Sequence, residues 1–205
     1  MRTYGALPED LGHIHLELSE VFYYLYLPIS MPNSSAYTLP HSLKPFVPLI
    51  NRVRMNEPLR FFREYVYFTG KRMYVGPGIS PNRGGWHSDG FLTDDLNFIW
   101  SDCLPTIFNT TEFNVPPDDE ESLELFERQA EKINDLSYPN EHMLKLDQFV
   151  IHKVGVPEKM MMRTFVKISI SPDIYNLAGN SHNYDLNYKW NMVERSDYRN
   201  QPASK

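Results

Sequence analysis

The chain has a single cysteine, Cys103, among 205 residues. One thiol closes no internal disulfide, which excludes a disulfide scaffold and the multi-cysteine zinc sites. A reducing, cytoplasmic setting is the expectation that follows. No apolar run approaches the ~18 residues of a membrane-spanning helix. The opening stretch, MRTYGALPEDLGHIHLELSE, is broken by proline and acids and does not read as a secretory leader. A long basic block is also missing, and the net charge is -6. The whole-chain electrostatic footprint of a phosphate-backbone binder is therefore absent, and a nucleic-acid partner is not favoured. There is no Walker A loop, no G-x-G-x-x-G, no G-x-S-x-G and no Cys–His pairing suited to nucleophilic catalysis. The glycine-rich NRGG (82–85) precedes no helix, so it reads as a turn rather than a phosphate cradle.

Proline, tyrosine and phenylalanine are abundant. Sixteen prolines make about 8% of the chain against a usual ~5%, and 13 Tyr and 12 Phe accompany them. This describes a loop-rich, aromatic β protein. With no internal repeat, the length fits a single domain over 1–205. HIHLEL (13–18) alternates as a half-buried strand, and VFYYLYLPI (21–29) reads as an aromatic strand ended by proline. A short helix is expected after Pro48 within 44–55. Strand-like runs then follow at 64–70, 71–77, 96–102, 106–115, 142–154 and 162–171, a spacing that suits a sandwich or jelly roll. One amphipathic helix over 118–135 interrupts them, with Leu123, Phe126, Ala130 and Ile133 on one face. In the last run Arg163, Phe165, Lys167 and Ser169 share one face, and Thr164, Val166, Ile168 and Ile170 the other. The polar, Tyr/Asn-rich stretch 173–205 reads as an irregular tail laid over the body, its last residues disordered.

The sharpest chemical feature is His87-Ser88-Asp89. Positions i and i+2 of an extended segment point the same way, so one imidazole and one carboxylate project together. These are two thirds of the facial triad that binds non-haem Fe(II), and the third ligand must be a second imidazole from elsewhere. Among the remaining histidines, His152 sits on a strand-like run. Arg163 follows it on the next run, and its guanidinium fork suits bidentate capture of a carboxylate.

The order H-x-D, distant His, then Arg on the following strand resembles the iron(II)/2-oxoglutarate-dependent dioxygenases over roughly 64–171. The resemblance implies a mainly β fold, a double-stranded β-helix of the jelly-roll or cupin-like kind with a few flanking helices, the segment 1–63 flanking that core. It implies Fe(II) held by His87, Asp89 and His152, with 2-oxoglutarate and O2 as cosubstrates and Arg163 on the distal carboxylate. A polar residue on a preceding strand often helps; Tyr74 is the candidate, with Arg72 and Tyr67 as rivals. Many members place a hydroxyl two residues after the arginine, whereas here Thr164 follows directly, so Lys167 on the same face stays an alternative anchor. The activity implied is hydroxylation of a small molecule or a side chain.

Other constellations are weighed beside it. His13-x-His15 with Glu17 and Glu20 nearby resembles the cupin H-x-H…Glu pattern but lacks its glycines, and reads as a solvent-facing polar stripe. His182 reads as a surface or lid residue. His142 has no arginine suitably placed after it. Cys103 reads as a small buried residue. Arg52, Arg54, Arg60, Arg63, Lys71, Arg72 and Arg83 cluster in one third of the chain, either as ordinary surface charge or as a face for an anionic substrate such as a nucleotide. A non-catalytic jelly-roll binding protein, a base hydroxylase and a metal enzyme without 2-oxoglutarate remain open. Convergence of His87, Asp89 and His152, with a buried base nearby, discriminates among them.

Overall fold

The computed structural model describes residues 2–78 and 81–195. Twelve strands and three α-helices form among them. They run β1 Arg2–Tyr4, β2 Glu9–His13, β3 Phe22–Ser30, α1 Val47–Asn56, α2 Pro58–Arg63, β4 Tyr65–Val75, β5 His87–Ser88, β6 Leu96–Ser101, β7 Thr106–Asn109, β8 Phe113–Val115, α3 Asp119–Gln129, β9 Asp135–Ser137, β10 His142–Leu146, β11 Ile151–Val154 and β12 Met161–Ser171. The large sheet has the order β2-β10-β6-β12-β4-β3 and the small one β5-β11-β7-β9; β1 pairs with β8 alone. Every pairing between these strands is antiparallel. The fold is mainly β, of jelly-roll type with few helices, as expected.

The period of two along β12 explains the layers. Val166, Ile168 and Ile170 pack with Val66 and Phe68 of β4 and Phe98 and Trp100 of β6. Leu43, Phe46, Leu49, Ile50, Val53 and Phe61 cover that face, so α1, α2 and the turn before them form an outer layer. The apolar steps Leu49 to Val53 and the proline in the first turn make α1 the helix expected there. The opposite face of the large sheet meets the small sheet. Ile99, Leu144 and Leu146 pack there on Phe108 and Val150, with Phe165 against them. A third cluster, Phe126 of α3 with Tyr4, Trp86, Phe113, Val115 and Ile151, closes the far side of the small sheet.

Several boundaries differ from the sequence reading, each because pairing overrides local pattern. The runs 64–70 and 71–77 are one strand, β4, paired along its whole length with β12. The run 142–154 splits at Asp147–Val150, putting β10 in the large sheet and β11 in the small one. The run 106–115 likewise divides into β7 and β8. The strand expected at 13–18 is displaced, since β2 ends at His13. The helix over 118–135 ends at Gln129, because Ala130 turns extended and the chain leaves to pair β9 with β7. Ile133 is consequently 89% exposed rather than on the buried face. The tail lies over β3, with Ser181 donating to Leu25 O at 2.7 Å and Asn183 to Pro28 O at 2.8 Å. Residues 196–205, where disorder was expected, lie outside the described residues. No described helix is long and apolar enough to cross a membrane.

Candidate metal centre

Strand pairing assembles the site. In the register of β11 on β5, His152 lies directly opposite His87, and their ring centroids are 4.6 Å apart. Asp89 follows two residues after His87 and projects to the same side. Ser88 points away and ties the turn down by donating to Gln148 O at 2.5 Å. The neighbours fix this geometry. Trp86 is buried in the third cluster and carries the Lys153 ammonium 4.0 Å above its ring. Gly90, at φ +73°, turns the chain immediately after Asp89; a Cβ there would meet Thr93 Oγ1 at 2.8 Å and Asp95 Cβ at 3.1 Å. One ligand atom from each of His87, Asp89 and His152 lies within 4.8 Å of the others.

The hydrogen bonds decide which imidazole atoms face inward. His87 Nδ1 is 2.9 Å from Gly85 O, and His152 Nδ1 is 3.2 Å from Val150 O. A carbonyl only accepts, so each Nδ1 carries the proton and each Nε2 keeps its lone pair. A backbone acceptor on the outer nitrogen is the arrangement that orients metal-ligating histidines. Burial lowers the His87 pKa to about 3, with His152 adding to the effect; burial also lowers that of His152. Both rings are therefore neutral at ordinary pH, as a ligand must be. For Asp89 burial works toward the neutral acid, but the Lys167 charge and its hydrogen bond outweigh it, and the carboxyl sits well below the usual range. Two neutral imidazoles and one ionised carboxylate fit a borderline divalent metal such as Fe(II).

A row of cations lies beside this triad on the inner face of the large sheet. Lys167 Nζ donates to Asp89 Oδ2 at 3.1 Å. Burial opposes its charge, but Asp89 and Tyr26 prevail and hold the ammonium protonated. Four residues along β12, Arg163 is 2% exposed. Its Nε and Nη2 donate to the carbonyls of Cys103 and Leu104 at 3.2–3.3 Å, while Nη1 is buried with no partner among the described residues. Lys71 stands opposite Phe165 in the pairing of β4 with β12, hence on the same face, and donates to Pro81 O. Burial and the Arg163 charge lower its pKa to about 8. Among the described residues neither Arg163 nor Lys71 forms a salt bridge. A buried guanidinium with an idle donor beside a half-buried ammonium calls for an anion.

The structure therefore brings together His87, Asp89 and His152, with Lys167 on the triad and Arg163 farther along the same face. It does not bring Tyr74, which is 68% exposed. Tyr74 shares the parity of Val66 and Phe68 on β4 and points away from the site. Of its rivals, Arg72 pairs with Asp102 at 3.2 Å and bonds Thr164 Oγ1 at 2.7 Å, and the buried Tyr67 stacks on Tyr175. His13 and His15 are exposed as expected, yet their partner is Glu141, at 3.1 and 2.9 Å, rather than Glu17 or Glu20. His142 binds Asp10 and His182 is exposed. Cys103 is half-buried rather than buried, its thiol pushed up to about 11 by burial and Asp102. In the basic cluster at 52–83, Arg60 pairs with Glu64, Arg52 bonds Leu11 O, and Lys71 turns inward. Sequence reasoning missed Lys71 as a site residue, and missed Tyr26 beside Lys167. Alternation along 65–75 places Lys71 with Tyr67 and Thr69 on one face, but only the pairing with β12 shows that this face is interior.

No protein-family model matches the chain, and no curated protein does. Two solved structures of EvdO2 from Micromonospora carbonacea var. aurantiaca are similar to it in shape. The first has a TM-score of 0.40 at 13% identity over 63% of this chain and 64% of that one. The second, complexed with 2-oxoglutarate, has a TM-score of 0.38 at 13% identity over 73% and 76%. The chain thus spans 64% of the first of these structures. Likenesses of this size bear on no chemical question; the site's own residues do.

Proposed function

We propose that the chain is a non-haem Fe(II)- and 2-oxoglutarate-dependent oxygenase acting on a small molecule or a protein side chain. The observation that carries this reading is the triad's chemistry: two neutral imidazoles with Nε2 free and one ionised carboxylate, opposite each other across two strands. His87, Asp89 and His152 would hold the iron. Bound there with 2-oxoglutarate, the metal supplies oxidation by dioxygen coupled to decarboxylation of the cosubstrate. The chain's own residues position and exclude. Arg163 offers its unpartnered Nη1, and Lys71 a second charge, to the distal carboxylate. Lys167 keeps Asp89 ionised and fixes one of its oxygens. Phe165 lies between Arg163 and Lys167 along β12, with the Arg163 guanidinium 5.2 Å from its ring centroid. The free thiol of Cys103 fits a reducing compartment such as the cytoplasm.

The Lys167–Asp89 bond supports a second reading, in which the jelly roll is a binding protein and that pair is an internal salt bridge. Anaerobic titration of Fe(II) with 2-oxoglutarate separates the two. Under the oxygenase reading a visible metal-to-ligand charge-transfer band grows in, and Arg163→Ala weakens 2-oxoglutarate about tenfold or more. A folded, metal-exposed protein with no band belongs to the second reading.

A further inference from the structure

A file of aromatic rings starts beside the metal centre and ends in solvent. Lys167 Nζ, bonded to Asp89, lies 5.3 Å from the centroid of the Tyr26 ring. Tyr26 is there because β3 carries an extra residue: Tyr24 pairs with Gly70 and Leu27 with Phe68, so Leu25 and Tyr26 together face Thr69. The bulge holds Tyr26 at φ +47°, a conformation few side chains adopt. Bulges that re-aim one side chain in this way are frequent next to functional sites. From Tyr26 the next ring is Tyr175, 5.1 Å away, which stacks on Tyr67 at 4.2 Å. Trp190 follows at 6.2 Å, with Tyr65 as a parallel bridge at 6.1 and 5.8 Å. Tyr188 at 4.5 Å and His182 at 4.7 Å lead to Tyr184, another 4.7 Å on and 90% exposed.

We propose that this file drains oxidising equivalents from the metal centre to the surface when oxygen is activated without a substrate to receive it. The proposal rests on the oxygenase reading. Tyrosine and tryptophan are the side chains that most readily give up one electron, and rings in contact pass the resulting hole along. A phenol that holds the hole must shed its proton and take it back. Tyr175 has the means: its hydroxyl donates to Asp95 Oδ2 at 2.7 Å, and Asp95 Oδ1 is buried and accepts from no described residue. Tyr26 and Tyr67 couple their neighbours through their rings. Trp190 can carry the hole without proton loss, and Tyr184 releases its proton to water.

The balance closes with a small-molecule thiol as reductant. The thiol gives a hydrogen atom to the Tyr184 phenoxyl radical and restores the phenol. Two thiyl radicals then join as a disulfide. Over two such passages the site gains two electrons from the file and two protons from solvent. One oxygen atom leaves as water, and two thiols become one disulfide.

The test uses the Fe(II)-loaded protein with 2-oxoglutarate and air, no substrate, no thiol, and a nitroso spin trap. Oxygen uptake, electron paramagnetic resonance and peptide mass spectrometry are read together. The expected result is a trap adduct on Tyr184 that falls about tenfold in Trp190→Phe, while oxygen uptake stays within about twofold. Tyr175→Phe, which removes the proton path to Asp95, should lower the adduct likewise. Oxygen uptake with no Tyr184 adduct, or an adduct equally strong in Trp190→Phe, overturns the proposal and leaves the oxygenase reading standing. No oxygen uptake and no 2-oxoglutarate consumption overturns that reading and this proposal with it.

Discussion

Lys71, half-buried, and Lys167, buried, share one sheet face and differ in what stands beside them. Lys167 has a carboxylate at 3.1 Å; Lys71 has a carbonyl and the repulsion of Arg163. The native state therefore bears the cost of the Lys71 charge at neutral pH. Its pKa is about 8 in the fold against 10.5 for the free group. Between those values the unfolded chain binds a proton that the native chain does not, so stability rises with pH across that window. Lys71→Met should abolish that rise and stabilise the protein by about 1–2 kcal/mol at pH 7, measured by urea unfolding, while weakening 2-oxoglutarate. Lys167→Met should do the opposite. It strands the half-buried Asp89 carboxylate and costs about 2 kcal/mol. Saturating Fe(II) or Mn(II) should restore most of that loss, because a metal that binds only the native state stabilises it. A loss that metal leaves untouched would speak for the internal salt bridge.

At the scale of elements, the turn after Asp89 and the pairing of β5 with β11 do more for the site than any helix. Gly90→Ala puts a Cβ against Thr93 and Asp95 at a positive φ, and should cost about 1–2 kcal/mol and lower metal affinity together. The cap of α3 offers the contrast. Asp118 accepts from the amides of Glu120 and Glu121 at 3.1 and 2.9 Å. Asp118→Ala should cost about 1 kcal/mol in thermal unfolding and leave metal affinity unchanged.

At the scale of the whole molecule, two layers of apolar side chains hold the sheets so that the triad converges. Ile168 is fully buried under α1 and α2, on the face of β12 opposite Lys167. Ile168→Ala should cost about 2–5 kcal/mol by denaturant unfolding. The parts of this arrangement that sequence shows are the local ones. H-x-D is readable because i and i+2 share a face, and Arg163 and Lys167 because period two runs unbroken from 162 to 171. What sequence hides is register. Tyr74 lies on a strand before the H-x-D, but parity on β4 sends it outward. Tyr26 reaches the site only through a one-residue bulge, which alternation cannot foretell. The helix over 118–135 lost its last turn to β9, whose partner β7 lies earlier in the chain.

If His87, Asp89 and His152 form one metal centre, Fe(II) binding depends on each of them and not on the other histidines. Anaerobic calorimetric titration of Fe(II) into wild type, His87→Ala, Asp89→Ala and, as a control, His142→Ala tests it most directly. Wild type and His142→Ala are expected to bind one equivalent, and the other two variants to lose affinity about 100-fold or more. Binding unchanged in His87→Ala and Asp89→Ala, with both proteins folded, would contradict it.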